Sequence, residues 1–134
     1  MRVYLAAPFE KKEAMRELRK RIQLETPHYV TSRWLDEGVQ DLPTQSVGNP
    51  QYAGAQLAIA TDDEYDIRDS GLVVVFSDAT PMRGGCMVEM GIALGLGLRV
   101  LCVGPRPTVF HYLRRVLWKP DVEALMAFLK SESS

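Results

Sequence analysis

The sequence predicts an α/β domain with a doubly wound parallel sheet of four or five strands and helices on both faces. Short apolar runs alternate with longer segments whose apolar residues recur at helical spacing. The runs are almost continuously apolar, as expected of strands that are buried on both faces of a parallel sheet. This alternation over most of the chain is typical of the class. Residues 1–134 are therefore expected to form a single domain.

The first half of the chain contains two predicted strands and one long predicted loop. Arg2–Pro8 is a short apolar run that ends at a proline, and residues 10–23 follow with helical spacing. His28–Leu35 is rich in β-branched and aromatic residues, which predicts a second strand. Residues 36–50 fit neither element, and a connection of that length is a candidate substrate loop.

Gln51–Ser70 is predicted to form one helix. At about 100° per residue, its sheet-facing side is a set of five residues: Ala53, Leu57, Ala60, Glu64 and Ile67. Asp63 lies at the edge of that side, beside Ala60 and Ile67. An aspartate that borders a core is paired, capping or functional, and the helical wheel does not choose among these roles.

The second half of the chain begins with the predicted strand Leu72–Phe76. The next helix is predicted to pack closely on the sheet through apolar and small residues, which are Val88, Gly91, Ile92, Ala93, Gly95 and Leu96. Leu98–Gly104 is the next predicted strand, and Val109–Leu113 is predicted to form a short helix. Asp121 is predicted to cap a last covering helix.

The composition restricts the class of partner. Among 134 residues, 16 are basic and 17 are acidic, so the chain lacks the positive charge that marks binding to nucleic acid or an anionic membrane. Small-molecule ligands are therefore expected. The two cysteines, Cys86 and Cys102, do not have metal-ligand spacing, and neither a signal peptide nor a long apolar span is present. We expect a cytoplasmic protein that uses no metal or cofactor.

Two glycines after the strand Leu72–Phe76 mark a candidate ligand site. Gly84 and Gly85 lead into the next helix, whose N-terminus favours anionic groups. Glu89 follows in the first or second turn, where the helix dipole is expected to keep it ionised. Glu89 is a candidate nucleophile or ligand anchor, and a helix cap is the simpler alternative.

Three loops are expected to meet at the carboxyl edge of the sheet, after Ala7, around Arg83 and after Gly104. They and the helix Gln51–Ser70 bring five side chains toward one pocket: Tyr4, Asp63, Arg83, Glu89 and His111. Two carboxylates and a tyrosine without metal spacing suit cleavage of a glycosidic bond. One carboxylate would attack the anomeric carbon, and another acidic group would assist the leaving base.

Four motifs in this order resemble the nucleoside 2-deoxyribosyltransferase superfamily: Val3–Phe9, Asp63-x-x-Asp-Ile67, Arg83-Gly-Gly-x-x-x-Glu-x-Gly-x-Ala93 and Val103–Leu113. The resemblance extends over most of the chain. It implies an enzyme that either moves 2-deoxyribose between bases or releases the base from 2'-deoxynucleoside 5'-monophosphates.

The resemblance also implies roles for the predicted site residues. Glu89 matches the family's nucleophilic glutamate, which forms a covalent glycosyl-enzyme intermediate, and Asp63 matches the aspartate near the leaving base. Tyr4 matches the strand-one tyrosine that hydrogen-bonds the nucleophile. The base or sugar would be lined by the residues that follow this strand, Ala7, Pro8 and Phe9.

In the family's monophosphate hydrolases, the loop before the nucleophile holds the 5'-phosphate, and it matches Arg83, Gly84 and Gly85. His111 matches the residue that a neighbouring subunit contributes, so the resemblance implies a homodimer or a higher homo-oligomer with shared active sites. The transferases carry an acidic residue where this chain has Arg83, and arginine favours a phosphate.

Two other functions fit parts of the sequence. A non-catalytic nucleotide-binding or sensing module would keep the same pocket without turnover. A dinucleotide-binding domain is disfavoured, because no Gly-x-Gly-x-x-Gly follows the first strand. Release or exchange of a base distinguishes the enzyme from the module.

Overall fold

The computed structural model describes residues 1–36, 38, 48–77 and 84–132. These residues form a five-stranded sheet in the order β2-β1-β3-β4-β5, and each adjacent pair of strands is parallel. In chain order the strands are β1 (Arg2–Ala6), β2 (Tyr29–Val30), β3 (Leu72–Phe76), β4 (Arg99–Val103) and β5 (Val116–Lys119).

Four α-helices in the described residues flank this sheet: α1 (Lys12–Glu25), α2 (Ala53–Arg68), α3 (Gly85–Gly95) and α4 (Val122–Ser131). Right-handed crossovers place α1 on one face and both α2 and α3 on the other. α4 packs beside α1, and α2 packs beside α3. The prediction of a doubly wound α/β fold is confirmed.

The central strands form the core between the two helical layers. All five residues of β3 are buried, as are the last four residues of both β1 and β4. The apolar stripe of α1 buries Met15, Leu18 and Ile22 against them. At the start of α4, the Asp121 carboxylate accepts a hydrogen bond from the Ala124 N–H at 2.9 Å, which confirms the predicted cap.

The strand order places a crevice at the carboxyl ends of β1 and β3. The chain runs outward from β1 to β2 and then crosses back to β3 on the other side of β1. Loops that leave neighbouring strands in opposite directions open a gap between them, where ligands of such sheets bind. Ala6 pairs with Val75 in the register, so the segments that begin at Ala7 and Ser77 flank this gap.

The predicted strand His28–Leu35 is wrong beyond Val30, where β2 ends. Two side chains replace the missing backbone ladder along β1. The Ser32 hydroxyl oxygen accepts a hydrogen bond from the Leu5 N–H at 2.7 Å, and the Trp34 indole N–H donates to the Leu5 carbonyl at 2.9 Å. The chain is then free to turn, and Arg33–Leu35 forms a short 3-10 helix.

The predicted buried faces of α2 and α3 are largely wrong. Ile67 is buried as predicted, but four other residues of the predicted face of α2 are exposed: Ala53, Leu57, Ala60 and Glu64. Of the residues predicted to pack α3 on the sheet, Ala93 is buried as predicted and four are exposed: Val88, Gly91, Gly95 and Leu96, the last just beyond the helix; Cys86 and Met90 are buried instead. Apolar and small residues occur on every side of both helices, so their spacing alone does not identify the buried side.

Two further segments differ from the predicted elements. The sequence prediction omits β5, whose four residues are too few to show a clear period. The predicted short helix Val109–Leu113 is a 3-10 helix over Val109–Tyr112. Of the predicted substrate loop 36–50, residues 37 and 39–47 lie outside the described residues.

Candidate active site

Tyr4 and Glu89 meet at the gap between β1 and β3. Tyr4 lies in the middle of β1, opposite Val73 of β3, and is fully buried. Its hydroxyl donates a hydrogen bond to Oε2 of Glu89. Glu89 is the fifth residue of α3, and this places its carboxyl group in the second turn of the helix. The structure therefore brings these two predicted site residues together.

Burial raises the pKa of Glu89 to about 8, which is the opposite of the predicted effect of the helix dipole. The hydrogen bond from Tyr4 lowers this pKa, and the negative charge of Asp63 raises it. The dipole acts mainly within the first helical turn, and Glu89 lies beyond that turn in a poorly hydrated position. The expectation that Glu89 is held ionised is wrong for the free protein.

Asp63 acts on the same pair of side chains from α2. It is half-buried on the inward side of this helix. Its charge raises the pKa of Glu89 and also contributes, after burial and Glu89 itself, to a Tyr4 pKa well above the ordinary value. The predicted carboxylates and the tyrosine therefore share one electrostatic environment.

The segment after β1 forms an aromatic wall beside this group. Ala7 is buried, Pro8 is half-buried and Phe9 is 45% exposed. The Phe9 ring lies 6.5 Å from the ring of Trp34, centroid to centroid, with the planes inclined at 37°. The Trp34 indole is buried and fixed by its hydrogen bond to β1. Trp34 is not among the predicted site residues, because its contact with Phe9 depends on the early end of β2.

Lys12 adds a positive charge to this wall. Its ammonium nitrogen lies 5.4 Å from the centre of the Phe9 ring, a cation–π distance, and the residue is buried at the start of α1. The sequence pattern gives no hint of this contact, since lysine in a charged amphipathic helix is ordinarily solvated.

Gly84 and Gly85 form the N-terminus of α3. Gly84 is the N-cap residue with φ of +95°, a left-handed conformation that favours glycine. Its carbonyl accepts hydrogen bonds from the N–H groups of Met87 and Val88, each at 3.0 Å. The first turn of a helix offers N–H groups and a positive dipole end to an anion. The predicted neighbour Arg83 lies outside the described residues.

His111 lies in the 3-10 helix after β4 and is buried within its own chain, with 1% of its surface exposed. Its Nδ1 accepts from the Thr108 N–H at 3.3 Å and lies 2.8 Å from the Thr108 hydroxyl. Among the described atoms, Nε2 has no hydrogen-bond partner. Burial lowers the pKa of His111. The structure therefore shows a histidine that caps its own 3-10 helix.

The family comparison agrees with this geometry. The family model described as nucleoside 2-deoxyribosyltransferase matches residues 3–119. The chain belongs to the nucleoside 2-deoxyribosyltransferase family. Membership in this family supports an enzyme with activity of the N-glycosidase or deoxyribosyltransferase type on a nucleoside or nucleotide. No curated protein matches the sequence at a significant level.

Two solved structures share the fold of this nucleoside 2-deoxyribosyltransferase family member at low identity. One is the CMP N-glycosidase BcmB of Clostridium botulinum, with 17% identity and a TM-score of 0.56, covering 96% of this chain and 98% of that chain. The other is a 2-deoxyribosyltransferase of Bacillus psychrosaccharolyticus, with 16% identity and a TM-score of 0.62, covering 100% of this chain and 99% of that chain.

The described part of this family member contains neither a membrane-spanning helix nor a metal-binding cluster of side chains. Within residues 1–36, 38, 48–77 and 84–132, no helix has the length and apolar character needed to cross a bilayer. The same ranges contain no group of three or more His, Cys, Asp or Glu side chains placed to bind a metal ion.

Proposed function

We propose that this protein cleaves the N-glycosidic bond of 2'-deoxynucleoside 5'-monophosphates or 2'-deoxynucleosides through a covalent glycosyl-enzyme on Glu89. The observation that carries the proposal is the buried hydrogen bond between Tyr4 and Glu89, with the Asp63 charge close to both. The Glu89 side-chain carboxyl group is largely shielded from water, accepts one hydrogen bond and lies at the C-terminal edge of the sheet. Such a group is a suitable nucleophile for an anomeric carbon.

In the first chemical step, Glu89 attacks C1' of the sugar. The bond between C1' and the base nitrogen breaks, and its electron pair leaves with the base. In the reactive form Glu89 is ionised and Asp63 is protonated; Asp63 donates its proton to the departing base and is left as a carboxylate. Attack through Oε1 would preserve the hydrogen bond from Tyr4 to Oε2. Positive charge on the sugar in the transition state favours the ionised form of Glu89.

In the second step, water or another base attacks C1' and releases Glu89. Water gives hydrolysis and a free sugar or sugar phosphate, whereas a second base gives deoxyribosyl transfer. The exposed ring of Phe9, which packs against the buried ring of Trp34, provides a surface on which a planar base can stack. Ala7 and Pro8 complete the segment that we assign to the base or sugar.

A 5'-phosphate is proposed to bind at Gly84 and Gly85 together with Arg83. The N-terminus of α3 supports this assignment, because its N–H groups and dipole favour an anion. One of the two structural neighbours is a CMP N-glycosidase, and the other is a 2-deoxyribosyltransferase. Nucleotide and nucleoside substrates are therefore both included in the test below.

We further propose a homodimer or larger homo-oligomer with shared active sites. The outward sides of α2 and α3 support it, since Leu57 is 69% exposed and Val88 is 63% exposed on neighbouring helices. His111 would then contribute to a neighbouring site only if the turn that buries it opens on association. The reduced state of Cys86 and Cys102 fits a cytoplasmic location, which we also propose.

A non-catalytic nucleotide-binding module is the second candidate. It is favoured by one observation: with a pKa of about 8, Glu89 is largely protonated near neutral pH in the free protein. A protonated carboxyl group is a hydrogen-bond donor and a poor nucleophile. Such a module would bind a nucleotide saturably and leave its glycosidic bond intact.

The decisive experiment is a product profile with purified protein. We expect chromatography to show a released base from at least one nucleoside or 5'-monophosphate, or an exchanged base when a free acceptor base is added. Acid-quenched protein should carry a sugar adduct on the peptide that contains Glu89. Glu89→Gln should abolish both signals, whereas Glu64→Gln on the exposed side of α2 should retain them.

Absence of any released or exchanged base would remove the enzymatic proposal. If saturable binding were then observed by thermal shift, the module would take its place. Full turnover by Glu89→Gln would instead remove Glu89 as the nucleophile while leaving the activity in place.

A further inference from the structure

An ion pair between the buried Asp66 carboxylate and Arg33, whose side chain is 48% exposed, fixes α2 one turn beyond Asp63. The Asp66 side chain is only 5% exposed, and its Oδ1 accepts a hydrogen bond from the Arg33 guanidinium at 2.9 Å. Its Oδ2 accepts from the backbone N–H of Arg33 at 3.0 Å. A buried carboxylate with both oxygens bound holds its helix in one rotation, because turning the helix would leave a buried charge unpaired. Asp63 is three residues earlier on the same helix and turns with it.

The segment that carries Arg33 also holds the strand that carries Tyr4. Thr31 donates from its backbone N–H to the Val3 carbonyl at 2.8 Å, and Ser32 and Trp34 bind the backbone of Leu5. Val3 and Leu5 are the two neighbours of Tyr4 along β1. The segment 31–34 therefore binds β1 on both sides of Tyr4 and binds α2 one turn from Asp63.

Further contacts strengthen this link to α2. The Thr31 hydroxyl donates to the Asp66 carbonyl at 3.1 Å, so the backbone of the helix is held as well as the side chain. The Arg33 guanidinium also lies 3.5 Å from the Asp62 carboxylate, the residue next to Asp63. The charge of Asp66 itself reaches Tyr4, whose pKa it helps to raise. Arg33 therefore neutralises an acidic group close to the candidate site.

We propose that Arg33 and Asp66 are positioning residues, which hold Asp63 at its working distance from Glu89 and Tyr4. The inference rests on the proposed function for its catalytic consequence, but the placement of Asp63 is measurable without turnover. Neither residue contacts the reacting atoms in this scheme. Both act through the rotation of α2 relative to β1.

The chain offers a matched control pair for this test. Arg2 and Asp69 also form an ion pair between β1 and the end of α2, but their side chains are 55% and 40% exposed. Asp69 is the C-cap residue of α2, so this pair lies beyond the last residue of the helix. Disruption of this pair also removes an interaction between an arginine and an aspartate, but it leaves the contacts of the helical turn next to Asp63 unchanged.

The test measures how strongly Asp63 acts on Glu89, by NMR titration of 13C-labelled glutamate carboxyl groups. The Glu89 signal is assigned by its loss in Glu89→Gln. In the wild-type protein, Asp63→Asn should lower the Glu89 titration midpoint, because it removes a like charge. We expect this shift to be reduced by at least about half in an Arg33→Met background, since the effect of a charge falls with distance. The shift should keep its full size in an Arg2→Met background.

Arg33→Met leaves a buried Asp66 charge and is the variant most prone to unfold. Arg33→Met with Asp66→Asn removes that charge and serves as the second test variant. An undiminished shift in either folded variant would overturn the proposal, as would an equal reduction in Arg2→Met. Loss of the fold in both variants would also overturn it, by assigning the pair to stability.

Activity provides the separate catalytic readout. In a double-mutant cycle, we expect Arg33→Met to lower kcat by about 10²-fold with little change in KM, as for a displaced catalytic group. Adding Asp63→Asn to Arg33→Met should then change kcat very little, because Asp63 is already displaced. Additive effects of the two changes would contradict positioning through Asp63. If the wild-type protein released no base, the proposed function would fail while the NMR result still decided the placement of Asp63.

Discussion

The Tyr4 hydroxyl donates a hydrogen bond to the Glu89 carboxyl group, joining residues that are 85 positions apart in the sequence. The contact connects the middle of β1 to the second turn of α3 across the switch point of the sheet. Two effects on Glu89 oppose each other here. Burial raises its pKa, whereas the hydrogen bond from Tyr4 lowers it. The tyrosine therefore increases the fraction of Glu89 that is ionised at neutral pH.

Tyr4→Phe should weaken catalysis in a pH-dependent way. Without its hydrogen bond the Glu89 pKa rises above about 8, so the acidic limb of the kcat/KM profile should move to higher pH. A hydrogen bond to a charged group contributes about 1.5–3 kcal/mol, which corresponds to a loss of roughly 10- to 100-fold at neutral pH. Initial rates across a series of pH values measure both the shift of the acidic limb and the loss of kcat/KM at neutral pH.

The control for this change is Tyr29→Phe, which removes the hydroxyl of an exposed tyrosine on β2. Its profile should superimpose on that of the wild-type protein. An unshifted acidic limb in Tyr4→Phe would show that the hydrogen bond does not control the ionisation of Glu89.

Stability should fall with rising pH because of Glu89. Its pKa is about 8 in the folded protein and near its ordinary value of 4.5 when unfolded. Between these values the folded state binds one more proton, so the free energy of unfolding decreases with pH by at most about 1.4 kcal/mol per unit. This contribution is fully present below the unfolded pKa and is lost as pH rises through the folded one.

Glu89→Gln removes the ionisable carboxyl group at this position. The free energy of unfolding of this variant should therefore lack the pH dependence that Glu89 contributes. Relative to wild type, its stability should therefore increase between about pH 5 and pH 8, as measured by urea unfolding at several pH values. Glu64→Gln, on the exposed side of α2, should track the wild type throughout. A pH-independent difference between wild type and Glu89→Gln would contradict the raised pKa.

The sequence predicts the sheet better than the helix faces. β3 is a run of five buried apolar residues, and its bounds are identical in the sequence prediction and in the structure. α2 shows no single apolar side, so its rotation is decided by contacts made by distant residues. The pair formed by Arg33 and Asp66 is such a contact, and the Asp66 side chain in it is buried.

The candidate site is likewise predictable from the sequence only in part. The approach of Tyr4 to Glu89 follows from placing one residue in a strand and the other in the helix after the neighbouring strand. The pKa of Glu89 does not follow from its place in the helix, since burial and the charge of Asp63 both raise it. The contact between Phe9 and Trp34 does not follow from the sequence either, because the predicted strand continues to Leu35 whereas β2 ends at Val30.

Asp63→Asn should affect substrates according to the basicity of the leaving group. If Asp63 assists departure of the base, its loss should slow release of natural bases by about 10²-fold, the lower range for general acid catalysis. A deoxyribosyl substrate with a weakly basic leaving group needs little assistance and should be slowed much less. Initial rates for the two substrates measure the ratio. Equal losses on both would assign Asp63 to binding or to the geometry of the site.

Leu57→Glu should dissociate the proposed oligomer. Leu57 is 69% exposed on the outward side of α2, and a charge buried there on association would lack a partner. Leu24→Glu on α1 is a matched control, because Leu24 is 86% exposed on the opposite layer of the fold. Sedimentation should show an oligomer for the wild type and for Leu24→Glu, and a monomer for Leu57→Glu. If active sites are shared, turnover by Leu57→Glu should fall and recover partly with protein concentration. A monomeric wild type with full activity would contradict both the interface and the sharing of sites.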